Sequence, residues 1–255
     1  MNTNVAGREE QTAVEPRKRG RYFRHFRDIL RDPERRHRAL FAGGLVSLGI
    51  VSAMAYFTYR LQQLPFDVVA TLGLQTIRYG PFGDLMRAVS LPGYIPWSLG
   101  VVGGGVLLVA LRLGWRDGLF LLLVTLLQGL SNHLIKTAIG RPRPVDTLVE
   151  VLLPQHGNSF PSGHVMFYTV FFGFLFFLAW TRLRRSVWRT LVLVVTGALV
   201  MLIGPSRMYV GAHWLSDVIA AHLISLVILL FAIEFYVEQF APPPAGSQRR
   251  LTTDD

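Results

Sequence analysis

Six windows of this 255-residue chain are each apolar over about 19 residues, the length a helix needs to cross roughly 30 Å of hydrocarbon. They lie near Ala39 to Tyr59, Ile95 to Leu113, Gly118 to Lys136, His164 to Thr181, Val187 to Gly204 and Trp214 to Val237. Charged residues make up 16% of the chain and hydrophobic ones 51%, whereas a soluble domain carries about 25% charge. The expected fold is therefore all-α, an integral membrane bundle of six transmembrane helices. The second window holds Gly100, Gly103, Gly104 and Gly105, which either permit close helix packing or are simply tolerated in lipid.

Three regions are predicted: a basic tail over 1–38, partly disordered, a six-helix domain over 39–238, and a disordered tail over 239–255. Residues 1–38 hold 11 of the 26 basic side chains and six of the 16 acidic ones. Some 38 polar and basic residues before the first apolar window argue against a cleaved signal peptide and for a retained anchor. No aromatic interleaving or recognition fold accompanies the basic run, so nucleic acid is not an expected partner. With the amino terminus inside, 19 basic residues face the cytoplasm and seven face outward. The positive-inside rule then predicts cytoplasmic termini in the inner membrane, with the loops at 137–163 and 205–213 together on the outer face.

The segment 61–94 is too long for a turn and too charged to span. Phe66, Val69, Leu72, Leu74 and Ile77, then Phe82, Leu85, Met86 and Val89, recur at helical spacing. Two short interfacial helices on the outer face are predicted there. Residues 145–153 read either as another such helix or as a buried loop. The chain contains no cysteine, which excludes disulfides, thiolate metal sites and cysteine nucleophiles.

Ionisable residues at membrane helix ends are costly unless they serve a site. Three clusters fall on the predicted outer face: Lys136 with Arg143 and Pro144; Pro161, Ser162, Gly163 and His164; and Ser206, Arg207, His213 and Asp217. Lys136, Arg143 and Arg207 are three cations suited to one phosphoryl centre. Taken singly, each fits a basic edge facing lipid headgroups better. Ser162 and Gly163 stand where a helix start aims free N–H groups at an anion, although a serine N-cap is ordinary. His164 could donate a proton to a leaving oxygen, or be structural.

If Trp214 opens the last helix, His213 and Asp217 lie one turn apart on a single face. The carboxylate could then fix the imidazole tautomer and leave the other nitrogen as nucleophile; a plain polar pair capping the span is the equal alternative. Eleven fixed residues at fixed spacing within clusters would agree by chance with a frequency on the order of 10⁻¹⁴.

That pattern resembles the type 2 phosphatidic-acid phosphatase family, whose motifs read Lys-x6-Arg-Pro, Pro-Ser-Gly-His and Ser-Arg-x5-His-x3-Asp. The resemblance covers roughly residues 64–235 and leaves the basic tail outside. It implies a membrane lipid phosphatase or diphosphatase that uses no metal and no cofactor. Lys136, Arg143, Ser162, Gly163 and Arg207 would bind phosphate, His213 would attack phosphorus, Asp217 would orient His213, and His164 would act as general acid and base. Ser206 would support the loop, and Arg141 and Asn158 would contact the headgroup.

The implied partners are a phosphorylated lipid (undecaprenyl pyrophosphate, phosphatidic acid or phosphatidylglycerol phosphate), the bilayer, and vanadate or phosphate as site anions. The same residues would serve a phosphotransferase with a non-water acceptor. An anion transporter is a weaker rival, because the motifs sit at helix ends rather than at the midplane. His133 reads as a hydrogen-bonded core residue or a neighbour of Lys136, while His156 and His222 lack metal-ligand company.

Overall fold

A computed structural model describes residues 33–240. Of the expected tails over 1–38 and 239–255, residues 1–32 and 241–255 lie outside those described, while 239–240, expected in the disordered tail, complete the last helix instead. The chain divides into two units at Ala42 and Gly43, and the site lies wholly in the second.

The described residues form eight α-helices in order: α1 Pro33–Leu61, α2 Pro65–Gln75, α3 Gly80–Ser90, α4 Trp97–Arg112, α5 Trp115–Ile139, α6 Gly163–Arg182, α7 Val187–Tyr209 and α8 Leu215–Phe240. No strand occurs among the described residues. Residues 33–38, expected in the polar tail, are helical instead, because Pro33 opens α1 with a fixed φ and Glu34 follows in its first turn. Among the described residues, five helices are long and apolar enough to cross a membrane alone. The sixth expected span is shorter: α4 has 16 residues and qualifies only together with Gly80–Gly93, from which it is bent by 67°. Pro92, Gly93 and Pro96 account for that break, since proline cannot continue the helical hydrogen-bond ladder.

Local chemistry sets the other boundaries. Pro65 and Pro81 stand at the first turns of α2 and α3. Gly140, at φ +65°, closes α5 in the left-handed conformation that glycine adopts without strain. Ser186 caps α7 by accepting from the Arg189 N–H.

The middle of the bundle is α6, with 56% of its apolar window buried against 17–28% for α5, α7 and α8. Its Val165, Met166, Tyr168, Phe171, Phe174 and Leu178 pack with Leu121 of α5, Ile203 of α7 and Val218, Ala221 and Leu229 of α8. The outer faces carry exposed Leu123, Leu126, Leu127, Leu130 and Leu134 on α5 and Val194, Val195 and Met201 on α7. Leucine stripes of this kind are stable where lipid is the solvent. Of the four glycines in the second window, Gly105 makes a close approach: a Cβ there would meet the Phe171 ring at 2.6 Å, whereas Gly100, Gly103 and Gly104 face open space.

Both predicted short helices are present; α3 buries Met86 and Val89 and leaves Asp84 and Arg87 exposed, whereas α2 turns a polar face inward. Asp67, Thr71 and Gln75 of α2 are buried, while Phe66, Val69, Leu72 and Ile77 are exposed. The segment 145–153 is a loop, not a helix. The Gln75 amide holds it by donating to Glu150 O (2.7 Å) and accepting from the Glu150 N–H (3.1 Å). The N–H groups of Leu152 and Leu153 donate to Val210 O.

Candidate active site

Up-and-down connection brings the end of α5, the start of α6, the end of α7 and the start of α8 to one end of the bundle. All three sequence clusters are carried on those four helix ends and the two loops that join them. Asp217 lies in the first turn of α8, which begins at Leu215, so His213 precedes the helix rather than sharing its face. The pair still meets, with His213 Nδ1 3.4 Å from Asp217 Oδ2. That oxygen also accepts the Trp214 N–H at 3.0 Å and the Ser159 hydroxyl. The carboxylate thus caps its own helix start while it faces the imidazole.

The other imidazole nitrogen, Nε2, lies 3.2 Å from Arg143 Nη1. Arg143 is held by donation to Gly157 O (3.0 Å) and Ala212 O (2.9 Å). Lys136 Nζ donates to Asn158 O (2.7 Å) and Ser159 O (3.0 Å), and Asn158 returns a bond to Lys136 O. Asn158 therefore braces the lysine.

Arg207, fully enclosed at the end of α7, donates from Nη1 to Ser90 Oγ (3.1 Å) and Tyr94 Oη (2.5 Å). Tyr94 stands in the bend between α3 and α4, its ring 5.1 Å from the guanidinium and 4.5 Å from the His164 ring. Ser206 bonds Ser90 Oγ (2.6 Å) and Met86 O (2.5 Å) and so ties α7 to α3.

Buried polar atoms almost always find partners. Here Ser162 Oγ, His164 Nε2 and Arg207 Nε and Nη2 are buried without a hydrogen-bond partner among the described residues. Gly163 beside them is a close approach, since a Cβ would lie 3.0 Å from Asn132 Oδ1. Gly93 is tighter, because a Cβ there would stand 2.2 Å from His164 Cδ2. Gly211, at φ +67°, leaves no room for a side chain against Glu150 O.

The electrostatics follow from this crowding. Burial holds the His213 imidazole well below the usual histidine range, and the charges of Lys136, Arg143 and Arg207 push it further down. Arg143 is drawn down to about 10, first by burial and then by Arg207, with Asp217 and Tyr94 opposing, and stays charged at neutral pH. A neutral imidazole, three cations and a set of unpartnered donors together suit a nucleophile facing an anion.

Two expectations need correction. Arg141 is not a surface contact for a headgroup: it is 1% exposed, with its guanidinium bonded to Asp67, Asp217 and Ser216. His133 is neither a core residue nor part of the pocket, because it is exposed on α5. His156 is exposed in a loop, and His222 pairs with Thr169 Oγ1 at 3.1 Å. Asp67, Ser90, Tyr94 and Ser159 join the site from outside the three sequence clusters. Asp67 had a readable signal, since it is the one charged residue in the otherwise apolar helical pattern of 65–75 and shares a face with Thr71 and Gln75.

The chain is similar to several known proteins. Phosphatidylglycerophosphatase B of Bacillus subtilis (strain 168) is 31% identical over 140 residues, which cover 54% of this chain and 66% of that protein. A probable diacylglycerol pyrophosphate phosphatase 1 of Schizosaccharomyces pombe is 28% identical over 232 residues, covering 76% and 79% respectively. The chain thus spans a little under two thirds of the first relative and more of the second. A crystal structure of a transmembrane PAP2 type phosphatidylglycerolphosphate phosphatase from Bacillus subtilis shares the fold. Its TM-score is 0.66 at 24% identity, over 76% of this chain and 96% of that one. Residues 117–241, the stretch that carries all three clusters, match the PAP2 superfamily and form a PAP2 superfamily domain.

Proposed function

We propose that this protein is a membrane lipid phosphatase that hydrolyses a phosphomonoester or diphosphate at a lipid headgroup through a phosphohistidine. The observation that carries this reading is His213 itself, buried and neutral, with Nδ1 toward Asp217 and Nε2 against Arg143. Nδ1–H donates to the carboxylate, so Nε2 keeps the free electron pair. That nitrogen attacks phosphorus in line, a P–N bond forms, and the P–O bond to the lipid breaks.

His164 gives its proton to the departing oxygen. It then takes one from the water that attacks phosphorus, the P–N bond breaks, and inorganic phosphate leaves. Lys136, Arg143 and Arg207 hold the equatorial oxygens, helped by Ser162 Oγ and the N–H groups at the start of α6. Asp217 stabilises the charged imidazole. No step calls for a metal or cofactor.

Phosphatidylglycerol phosphate and diacylglycerol pyrophosphate are the lipids named for the relatives, and we assign this chain to the same substrate class. Undecaprenyl pyrophosphate, with its terminal phosphoanhydride, belongs to the same chemistry. The excess of basic residues in the other loops supports cytoplasmic termini in the inner membrane, with the site on the outer face.

The test is phosphate release by the purified protein in detergent, with EDTA present, across phosphatidylglycerol phosphate, diacylglycerol pyrophosphate, phosphatidic acid and undecaprenyl pyrophosphate. Metal-independent release, inhibited by vanadate as a mimic of five-coordinate phosphorus, is expected. Folded protein that releases nothing from any of these lipids overturns the hydrolase reading.

Gly93→Ala offers a sharper check on His164. The new Cβ would overlap the imidazole, and a displacement of about 1 Å in a reacting group costs ~10²-fold. Release should fall by that factor with the circular dichroism spectrum unchanged. Full activity would remove His164 from the mechanism.

A further inference from the structure

Arg141 lies beneath the site with two carboxylates around it. Its Nη2 donates to Asp67 Oδ2 at 2.7 Å, its Nη1 to Asp217 Oδ1 at 2.5 Å and to Ser216 Oγ at 2.7 Å, and its Nε to Gln62 O at 2.9 Å. Asp67 accepts the Ser216 N–H and the Ser216 hydroxyl, each at 2.8 Å. The side chains of all three charged residues are fully enclosed. A buried ion triad is weak support for stability, because well-packed apolar residues of similar volume often hold a fold as well or better. Its place against Asp217 suggests a different task.

The two oxygens of Asp217 are divided between two neighbourhoods. Oδ1 faces Arg141. Oδ2 faces the Trp214 N–H, the Ser159 hydroxyl and His213 Nδ1. Whatever sets the charge at Oδ1 sets how strongly Oδ2 supports a positive imidazole.

We propose that Arg141 and Asp67 are positioning residues that tune the support Asp217 gives to His213. Arg141 fixes the carboxylate rotamer and draws charge toward Oδ1. Asp67 shares the Arg141 charge, so that Asp217 is not neutralised outright. The inference builds on the reading of His213 as the attacking group, and its test is independent of turnover.

The signature is a pair of opposite shifts in the His213 titration. Arg141→Gln removes the cation from Oδ1, so Asp217 acts on the imidazole undiminished and His213 holds its proton to higher pH. Asp67→Asn leaves Arg141 with Asp217 as its one carboxylate partner, so His213 loses its proton at lower pH. Asp67 works through Arg141, so Asp67→Asn/Arg141→Gln should titrate close to Arg141→Gln alone. The other groups facing His213 are Lys136 from α5, Arg143 from the loop after it, His164 from α6, Arg207 from α7 and Asp217 from α8. All of them are common to the variants, as is Tyr94 beside His164.

The experiment is an NMR titration of the full chain in detergent micelles with ¹⁵N-labelled histidine, the His213 signals being identified by their loss in His213→Ala. Opposite displacements of about half a pH unit or more are expected for the two single variants. Arg141→Lys, which keeps the charge and loses the fork, should titrate near wild type while kcat falls and KM holds. If Arg141→Gln does not fold, the double variant, which strands no carboxylate at position 67, carries the same reading. Unchanged His213 titration in folded variants, or shifts of the same sign, overturns the proposal. Phosphate release is measured on the same samples: a wild type that releases none overturns the phosphatase reading, while the titration still decides the positioning role of Arg141 and Asp67.

Discussion

Phosphate release by His213→Ala is expected to fall by at least ~10⁴-fold, to the level left by binding and charge stabilisation alone. The fold should survive, because His213 lies in the turn before α8 and the Trp214 N–H keeps its bond to Asp217. The measurement is kcat in detergent for wild type and variant, with the melting temperature as the control for folding. A residual rate within tenfold of wild type would remove His213 from the role of nucleophile.

The pH profile gives an independent reading of the same residue. Burial and three cations depress the His213 pKa, so the imidazole stays neutral at pH 6.5, where an ordinary histidine would be half protonated. Once the substrate's own ionisation near pH 6 is divided out, the acid limb of kcat/KM due to His213 should lie below pH 6.5. Stability follows with the same sign. Below about pH 6.5 the unfolded chain takes up a proton that the native His213 refuses, so the linkage term from this residue lowers stability as the pH falls.

Arg207 is the second large effect expected. Its Nη1 is occupied by Ser90 and Tyr94, while Nε and Nη2 are buried without a partner among the described residues. Removing a preorganised, water-excluded donor set from a developing oxyanion costs about 3–4 kcal/mol, or ~10²–10³ in kcat. Arg207→Gln should lose that factor or more. Arg207→Lys restores the charge but not the fork, and should recover only part of the loss. A lysine variant with wild-type kcat would show that charge alone suffices here. Because Arg207 packs over the Tyr94 ring, both variants need a melting curve beside the kinetics, and a drop of about 1–2 kcal/mol from the lost stacking is expected.

How much of this was legible in the sequence varies with the range of the interaction. The long spans announce themselves because a helix in lipid needs only length and apolarity, a local property. The short α4 was less legible, since its boundary depends on Pro92, Gly93 and Pro96 breaking a longer apolar run. Lys136, Arg143, Ser162, His164, Arg207, His213 and Asp217 stood out through their spacing, and the bundle does bring them to one end.

Arg141 was misread because its neighbours in sequence are site residues, while its neighbours in space come from 62–67 and 216–217. Nothing in the spacing of α2 says that its polar face turns inward. Tyr94 and Ser159 act through a bend and a loop, where no periodicity exists to read. The loop at 145–153 has a helix-like composition, but its backbone groups bond to Val210 and Gln75 instead.

The brevity of α4 has a consequence for the surrounding lipid. Sixteen residues rise about 24 Å, against a hydrocarbon thickness of roughly 30 Å. A helix short by that margin draws the bilayer thinner beside it, at a cost of only fractions of a kcal/mol per Å. With α4 in the bilayer, the leaflet would dip along the flank where the chain turns through Tyr94 toward His164. On the proposed function, a phosphorylated headgroup sinking with it would travel less far out of its own layer to meet the cations, and the work of extracting a lipid would be shared with the membrane.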